Sequence, residues 1–122
     1  VVSGAARITN GTGQIFHLMV RDEANQRAQF TVYFLSANNT MGTENALPSI
    51  SAANSAAIRG LVRVEVSDYS ALGGASVASI NCAIPLVVAS GTSDIYVAVV
   101  NGAGAPTYGA TSLKISLGIQ QD

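Results

Sequence analysis

The chain has 122 residues, of which 48% are hydrophobic, and its six basic and seven acidic residues give a net charge of −1. This length predicts one domain that can bury a core without disulfides. Only 11% of the residues are charged, against about 25% in an average globular protein, so much of the surface must be uncharged. Scattered basic residues argue against a nucleic-acid partner, and the lack of a long apolar run argues against a membrane helix.

Turn signals recur at short intervals along the chain, for example at Asn10-Gly11, Gly73-Gly74 and Asn101-Gly102. Short segments rich in Val, Ile, Phe, Tyr and Thr lie between these turns. Regular short strands with such punctuation are typical of β-sandwiches and barrels. We therefore expect an all-β fold, a single jelly-roll or Greek-key β-sandwich of about eight strands with one short helical turn, spanning residues 1–122.

The first half of the chain contains three predicted strands and the helical turn. The strands cover residues 2–8, 15–20 and 29–35, and the second is apolar on both faces, with Phe16, Leu18 and Val20 in one row. In the third, Phe30, Val32 and Phe34 alternate with Thr31 and Tyr33, which indicates one buried face. Ser49 or Ser51 can cap a short helix over residues 52–58.

The second half of the chain contains five predicted strands. Val62, Val64 and Val66 are expected to point inward from residues 60–66, and Leu113 begins the clearest alternation, over residues 112–119. Further strands are predicted near residues 76–80 and 84–89, where Pro85 should lie at an edge, a bulge or a strand end. Residues 95–100 are apolar on both faces, which indicates either a central strand or a strand covered by another chain.

Residues able to support catalysis or bind metal are sparse. Cys82 is the single cysteine and His17 the single histidine, so we expect both to be packing or surface residues. A nucleophilic mechanism needs a base and a group that orients it, and no G-x-S-x-G elbow is present. We interpret Asp22-Glu23 as part of a solvated turn, flanked by Arg21 and Arg27 as pairing partners. We predict no enzyme activity and no metal or cofactor, with a weak calcium site across loops left open.

Three stretches carry a resemblance to a known family. They are IFHLMVRDEANQRAQFTVYFLSANNT with its D-x-A-N-Q-x-A turn, TENALPSISAANSAAIRGLVRV, and the C-terminal SDIYVAVVNGAGAPTYGATSLKISLGIQQD. Together they resemble small virion structural proteins of tailed phages, from Ile15 to Asp122, with Pro106-Thr107-Tyr108 and the end of the chain the most specific parts. By size and single all-β domain the chain is most similar to capsid decoration (cement) proteins.

The resemblance implies a protein made in the bacterial host cytoplasm and located on the capsid surface. Its implied partners are the major capsid protein and further copies of itself, as a homodimer or homotrimer, with no nucleic acid or membrane. We expect the two-sided apolar strands to supply the contacts and residues 1–8 to reach a neighbour. The predicted interface residues are Val2, Ile8, Ile15, Met19, Ile95, Val97 and Val99.

Other functions remain open at this point. A receptor- or glycan-binding module of a phage fibre or tail predicts Tyr69 or Tyr108 exposed in a groove. An enzyme predicts His17 or paired carboxylates in a concave pocket. A donor-strand pilin subunit requires an incomplete sheet, because a strand from another subunit must complete it.

Overall fold

Two antiparallel β-sheets form the protein in the computed structural model, which describes residues 1–43, 46–102 and 106–122. These residues contain seven strands, one four-residue helix and a 3-10 turn at Val66–Asp68. The strands and helix are β1 (Thr12–Asp22), β2 (Phe30–Leu35), α1 (Ala52–Ser55), β3 (Ile58–Val64), β4 (Tyr69–Ala71), β5 (Ser76–Val87), β6 (Tyr96–Asn101) and β7 (Leu113–Gln121).

The strand order is β4-β5-β1-β7 in the larger sheet and β3-β2-β6 in the smaller one. Apolar side chains from both sheets meet in one core between them. The predicted all-β sandwich is therefore confirmed, with seven strands in the described ranges where about eight were expected.

Alternation along the strands of the smaller sheet produces its buried face. Phe30, Val32 and Phe34 are buried on β2, and Val62 and Val64 are buried on β3, as predicted. The prediction is wrong for Val66, which is 56% exposed. The strand ends at Val64, and the 3-10 turn that begins at Val66 breaks the two-residue period.

A β-bulge at Phe16 changes the inward-facing row of β1. The pairing of β1 with both neighbours shifts between Ile15 and His17, and an extra residue in one strand interrupts the alternation of side chains. As a result Ile15 and Leu18 both point into the core, and Phe16 faces outward with 47% of its surface exposed. The predicted row of Phe16, Leu18 and Val20 is therefore wrong at Phe16.

Strand β5 unites two segments that were predicted separately. It runs for 12 residues, and its first three residues pair with β4. Pro85 pairs with Gln14 of β1 but lies beyond the part that β4 covers. This confirms an edge position for Pro85, where the missing N–H has no ladder partner to lose.

The helical turn also has the predicted start. Ser51 is its N-cap, and the Ser51 Oγ accepts a hydrogen bond from the Asn54 N–H at 3.1 Å. The helix ends at Ser55, and β3 begins three residues later, at Ile58.

The N-terminal segment packs against its own domain and forms no regular strand. Val2 makes an isolated bridge with Ile95, and Ala5 and Ala6 are buried in the core. The Gln121 side-chain amide donates to the carbonyls of Gly4 and Ala5, both at 3.0 Å. The predicted strand over residues 2–8 is therefore wrong, because internal contacts hold this segment as an isolated bridge and turns. Its expected reach to a neighbour stays a prediction.

The two lateral sides of the sandwich differ in how completely they cover the core. On the side where β3 approaches β5, Val62, Val64, Ile84 and Leu86 are all buried. On the side of β6 and β7, which we name the open side, the core-facing residues are only partly buried or exposed. They are Val97, Val99, Leu113, Ile115, Leu117 and Ile119.

Candidate functional site

A buried carboxylate organises residues 22–28, which we name the Asp22 turn. Asp22 has no exposed surface. Its Oδ1 accepts from the Ala24 N–H at 3.0 Å, and its Oδ2 accepts from the Arg27 N–H at 2.6 Å and the Tyr108 hydroxyl at 3.1 Å. Asn25 and Arg27 adopt left-handed backbone conformations, with φ of 52° and 50°. The turn thus wraps around the carboxylate.

The two carboxylates at this turn have opposite environments. The prediction of a solvated pair is wrong for Asp22, because the backbone folds around its side chain. Glu23 is exposed, and its Oε1 lies 3.2 Å from Arg21 Nε and 2.9 Å from Lys114 Nζ. These neighbours lower the pKa of Glu23, chiefly through the Lys114 hydrogen bond.

Two tyrosines tie the Asp22 turn to the rest of the domain. The Tyr69 hydroxyl donates to the Ala28 carbonyl at 2.8 Å, while the Tyr108 hydroxyl donates to Asp22. Burial raises the pKa of Tyr108 to about 12 and raises that of Tyr69 further. Both rings pack against the core, so they do not form the exposed aromatic platform that the glycan-binding alternative requires.

Further hydrogen bonds link the same turn to the β4–β5 hairpin. The buried Ser76 hydroxyl donates to Asn25 Oδ1, and Asn25 Nδ2 donates to the Gly73 carbonyl at 3.1 Å. Every buried side-chain nitrogen or oxygen in the described ranges has a hydrogen-bond partner. The polar atoms at the Asp22 turn therefore satisfy one another, and the arrangement stabilises the fold.

The remaining reactive side chains have limited chemistry. His17 Nε2 and Ser79 Oγ lie 2.7 Å apart across β1 and β5. In the described part of the chain this is the only hydrogen bond of the His17 ring, so no carboxylate orients it as a base. The Cys82 thiol donates to the Ile15 carbonyl at 3.5 Å, and burial raises its pKa, which disfavours the nucleophilic thiolate.

Two further features are absent from residues 1–43, 46–102 and 106–122. No group of three His, Cys, Asp or Glu side chains is placed there to hold a metal ion. None of the helices in these ranges has the length and hydropathy needed to cross a membrane.

The outer surface of the larger sheet is nearly uncharged at its centre. Met19 lies between Ser79 of β5 and Ser116 of β7, and His17 is opposite Gly118. The bulge lays the Phe16 ring over Gly118, where a Cβ would come within 2.9 Å of Phe16 Cζ. We name this surface, made of Phe16, Met19, Ser79, Ser116 and Gly118, the Phe16 face.

Charged side chains occupy one end of the larger sheet, beyond the Phe16 face. Arg21 pairs with Lys114 across the β1–β7 ladder, and Glu23 forms ion pairs with both. Glu23 offsets part of the positive charge of Arg21 and Lys114. The centre of the sheet carries an aromatic ring, a thioether and small polar groups, which suits close packing against a partner.

The structure separates the predicted interface residues into three groups. Ile15 and Ile95 are 1% and 2% exposed, so their prediction as contact residues is corrected: both side chains lie in the core. Val2 and Val97 are partly buried against the core. Ile8, Met19 and Val99 are exposed, and Met19 belongs to the Phe16 face.

Phe16 is the surface residue that sequence reasoning missed. The signal that could have identified it is Gly118, because a glycine inside an alternating strand marks a bulge or a close approach. Asp22 was missed because a charged residue in a polar turn is expected to be exposed to solvent.

Comparison of the chain with protein-family models, with curated proteins and with solved structures finds no match.

Proposed function

We propose that this chain is a capsid decoration protein of a tailed phage, which binds the outer surface of the major capsid protein lattice and stabilises the shell. The resemblance of its sequence to small phage virion proteins suggests the class of particle. The observation that carries the proposal is the Phe16 face, where Phe16 and Met19 are exposed among small uncharged side chains. In this proposal the face is the contact with the shell.

The chemistry of the Phe16 face suits repeated docking on a regular shell. Phe16 and Met19 offer dispersion contacts, and Ser79, Ser116 and Gly118 leave the surface low enough for a partner to approach closely. Interfaces of standard size bury about 800 Å² per partner, so the contact would extend from the Phe16 face along β1, β5 and β7. Affinity then comes from shape and apolar area, with little dependence on salt.

The first test is the copy number of the chain in its source particle. Quantitative mass spectrometry should give one copy per shell subunit or a simple fraction of that number. A handful of copies per particle would contradict the decoration role and favour a fibre or tail module. Absence from particles would remove every virion role.

The second test replaces the ring at the centre of the face. Phe16→Asp should weaken binding to shells that lack the protein by at least about 10-fold, because a buried charge without a partner opposes association. Leu61→Asp is the matched control, since Leu61 is exposed to a similar extent and belongs to the smaller sheet. Co-sedimentation with purified shells measures both variants, and equal binding by Phe16→Asp and wild type would rule out this face.

A further inference from the structure

The edges of the two sheets are protected to very different degrees. Natural proteins protect edge strands with charge, proline, bulges or short length. Strand β4 has three residues, β3 carries Arg59 and Arg63, and β7 carries Lys114. Strand β6 reads Tyr-Val-Ala-Val-Val-Asn and pairs with β2 without a register shift. It therefore has none of these protections.

Hydrogen-bond alternation shows which groups of β6 face outward. The Gly102 N–H donates to the Gln29 carbonyl next to β2, at 2.8 Å. Because the backbone groups of successive residues point to opposite sides of a strand, those of Val100 and Ala98 face β2. Those of Val97 and Val99 consequently point to the outer edge of the sheet.

The N-terminal segment occupies the start of this same edge. Ile95 exchanges two backbone hydrogen bonds with Val2, at 2.8 and 3.2 Å. Ile95 is two residues before Val97, so its backbone groups lie on the outer side as well. The edge beyond Val2 thus continues as a row of strand hydrogen-bonding groups, beside the open side of the core.

We propose that β6 pairs antiparallel with β6 of a second copy of this chain, with a two-fold axis at Val99. The two three-stranded sheets then become one six-stranded sheet, and Val99, which is 46% exposed in the single chain, is covered by its own counterpart. The proposal deepens the self-association that the proposed function includes, and rests on it for the choice of a second copy as the occupant.

Charge favours a copy of β6 as the occupant of this edge. A two-fold contact places two copies of the same strand side by side, so a charge on that strand is brought near the same charge of the second copy. The arginines of β3 or the lysine of β7 would then meet like charges, whereas β6 has no charge and pairs with itself at no electrostatic cost.

The position of Val2 selects the register. An axis at Val97 would place Val99 opposite Ile95 of the second copy, where Val2 already binds. An axis at Val99 avoids this conflict and sets Ala98 opposite Val100 of the second copy. Inward and outward faces stay matched in this register, because residues directly opposite one another in an antiparallel pair point to the same side.

Sedimentation velocity of the untagged chain tests the proposal. Wild type should sediment as a dimer at tens of micromolar, and Val99→Lys should raise the dimer dissociation constant at least about 10-fold, because edge lysines block strand pairing. Val87→Lys, at another exposed strand valine, should remain dimeric. A monomeric wild type, or a Val99→Lys variant that dimerises normally, would overturn the proposal.

A cross-link keeps the test decisive if Val99→Lys folds poorly. In a Cys82→Ala background, Val99→Cys should form an intermolecular disulfide, since a directly opposed hydrogen-bonded pair has a Cα separation near 5.5 Å, within the range for a disulfide. Val87→Cys should stay reduced under the same mild oxidant, and equal cross-linking at both sites would refute the pairing.

Shell binding separates this inference from the proposed function. A Val99→Lys monomer that still binds shells supports the decoration role and the assignment of the dimer contact to β6. A wild-type dimer that binds no shell overturns the decoration role alone.

Discussion

The Asp22 turn and the edge of β6 use hydrogen-bonding groups in opposite ways. At the Asp22 turn, a buried carboxylate, two hydroxyls and several backbone groups satisfy one another within the chain. At β6, backbone groups of Val97 and Val99 point away from the sheet. The buried carboxylate of Asp22 stabilises the fold, whereas the apolar edge strand is the surface that we propose for pairing with a second copy.

The largest expected effect removes the centre of the Asp22 turn. Asp22→Ala should lower the free energy of unfolding by about 3 kcal/mol, because the N–H groups of Ala24 and Arg27 and the Tyr108 hydroxyl lose a charged acceptor. Urea unfolding followed by circular dichroism measures the loss. Glu23→Ala is the control and should have a much smaller effect, since its ion pairs are exposed. A small effect for Asp22→Ala would mean that the turn does not depend on its carboxylate.

Alkaline pH should weaken the same turn. The pKa of Tyr108 is about 12 in the folded chain and near 10 in an unfolded chain. Above pH 10 the unfolded state therefore binds fewer protons than the folded state, and stability falls as pH rises from 10 toward 12. The raised pKa of Tyr69 acts in the same direction.

Replacing both tyrosines by phenylalanine tests this loss of stability at alkaline pH. The double variant Tyr69→Phe, Tyr108→Phe should be less stable than wild type at pH 8, and its urea midpoint should change less between pH 8 and pH 11. Tyr33→Phe is the matched control. An equal pH dependence in wild type and the double variant would show that neither hydroxyl is linked to folding.

The smallest expected effect is that of a substitution in β6 on the stability of the monomer. Val99→Lys should change the free energy of unfolding by less than about 0.5 kcal/mol, because the side chain is nearly half exposed and an edge position accepts a charge. Urea unfolding at submicromolar concentration, where dimers dissociate, measures this. A loss of 2 kcal/mol or more would place Val99 in the core and remove the contrast between the two regions.

The sequence predicted those parts of the fold where alternation is uninterrupted. Phe30 to Leu35 and Leu113 to Ile119 follow a two-residue period, and the structure has strands there. The β-bulge at Phe16 interrupts the two-residue alternation, so the predicted row on β1 was right at Leu18 and Val20 and wrong at Phe16. The N-terminal segment is held by Asp94, Ile95 and Gln121, which lie 90 to 117 residues away from their partners in sequence. Local patterns do not encode such contacts.

Only some residues of the candidate surfaces could be predicted from the sequence. Met19 and Val99 were expected at an interface and are exposed, but Ile15 and Ile95 carry the same apolar signal and are buried. Sequence does not distinguish a core isoleucine from a surface one when both faces of a strand are apolar. The distinction depends on the bulge and on which strand lies at the edge.

The bridge between Val2 and Ile95 has a practical consequence for handling and displaying the protein. Any residues that precede Val1 would continue antiparallel to β6 and come alongside Val97, so a tag or cargo joined directly before Val1 would compete for that edge. Asp122 lies elsewhere, where it hydrogen-bonds to Thr12 through backbone and side chain at 3.1 and 2.7 Å. A cargo joined at Asp122 is therefore the better choice when the edge of β6 is to stay accessible.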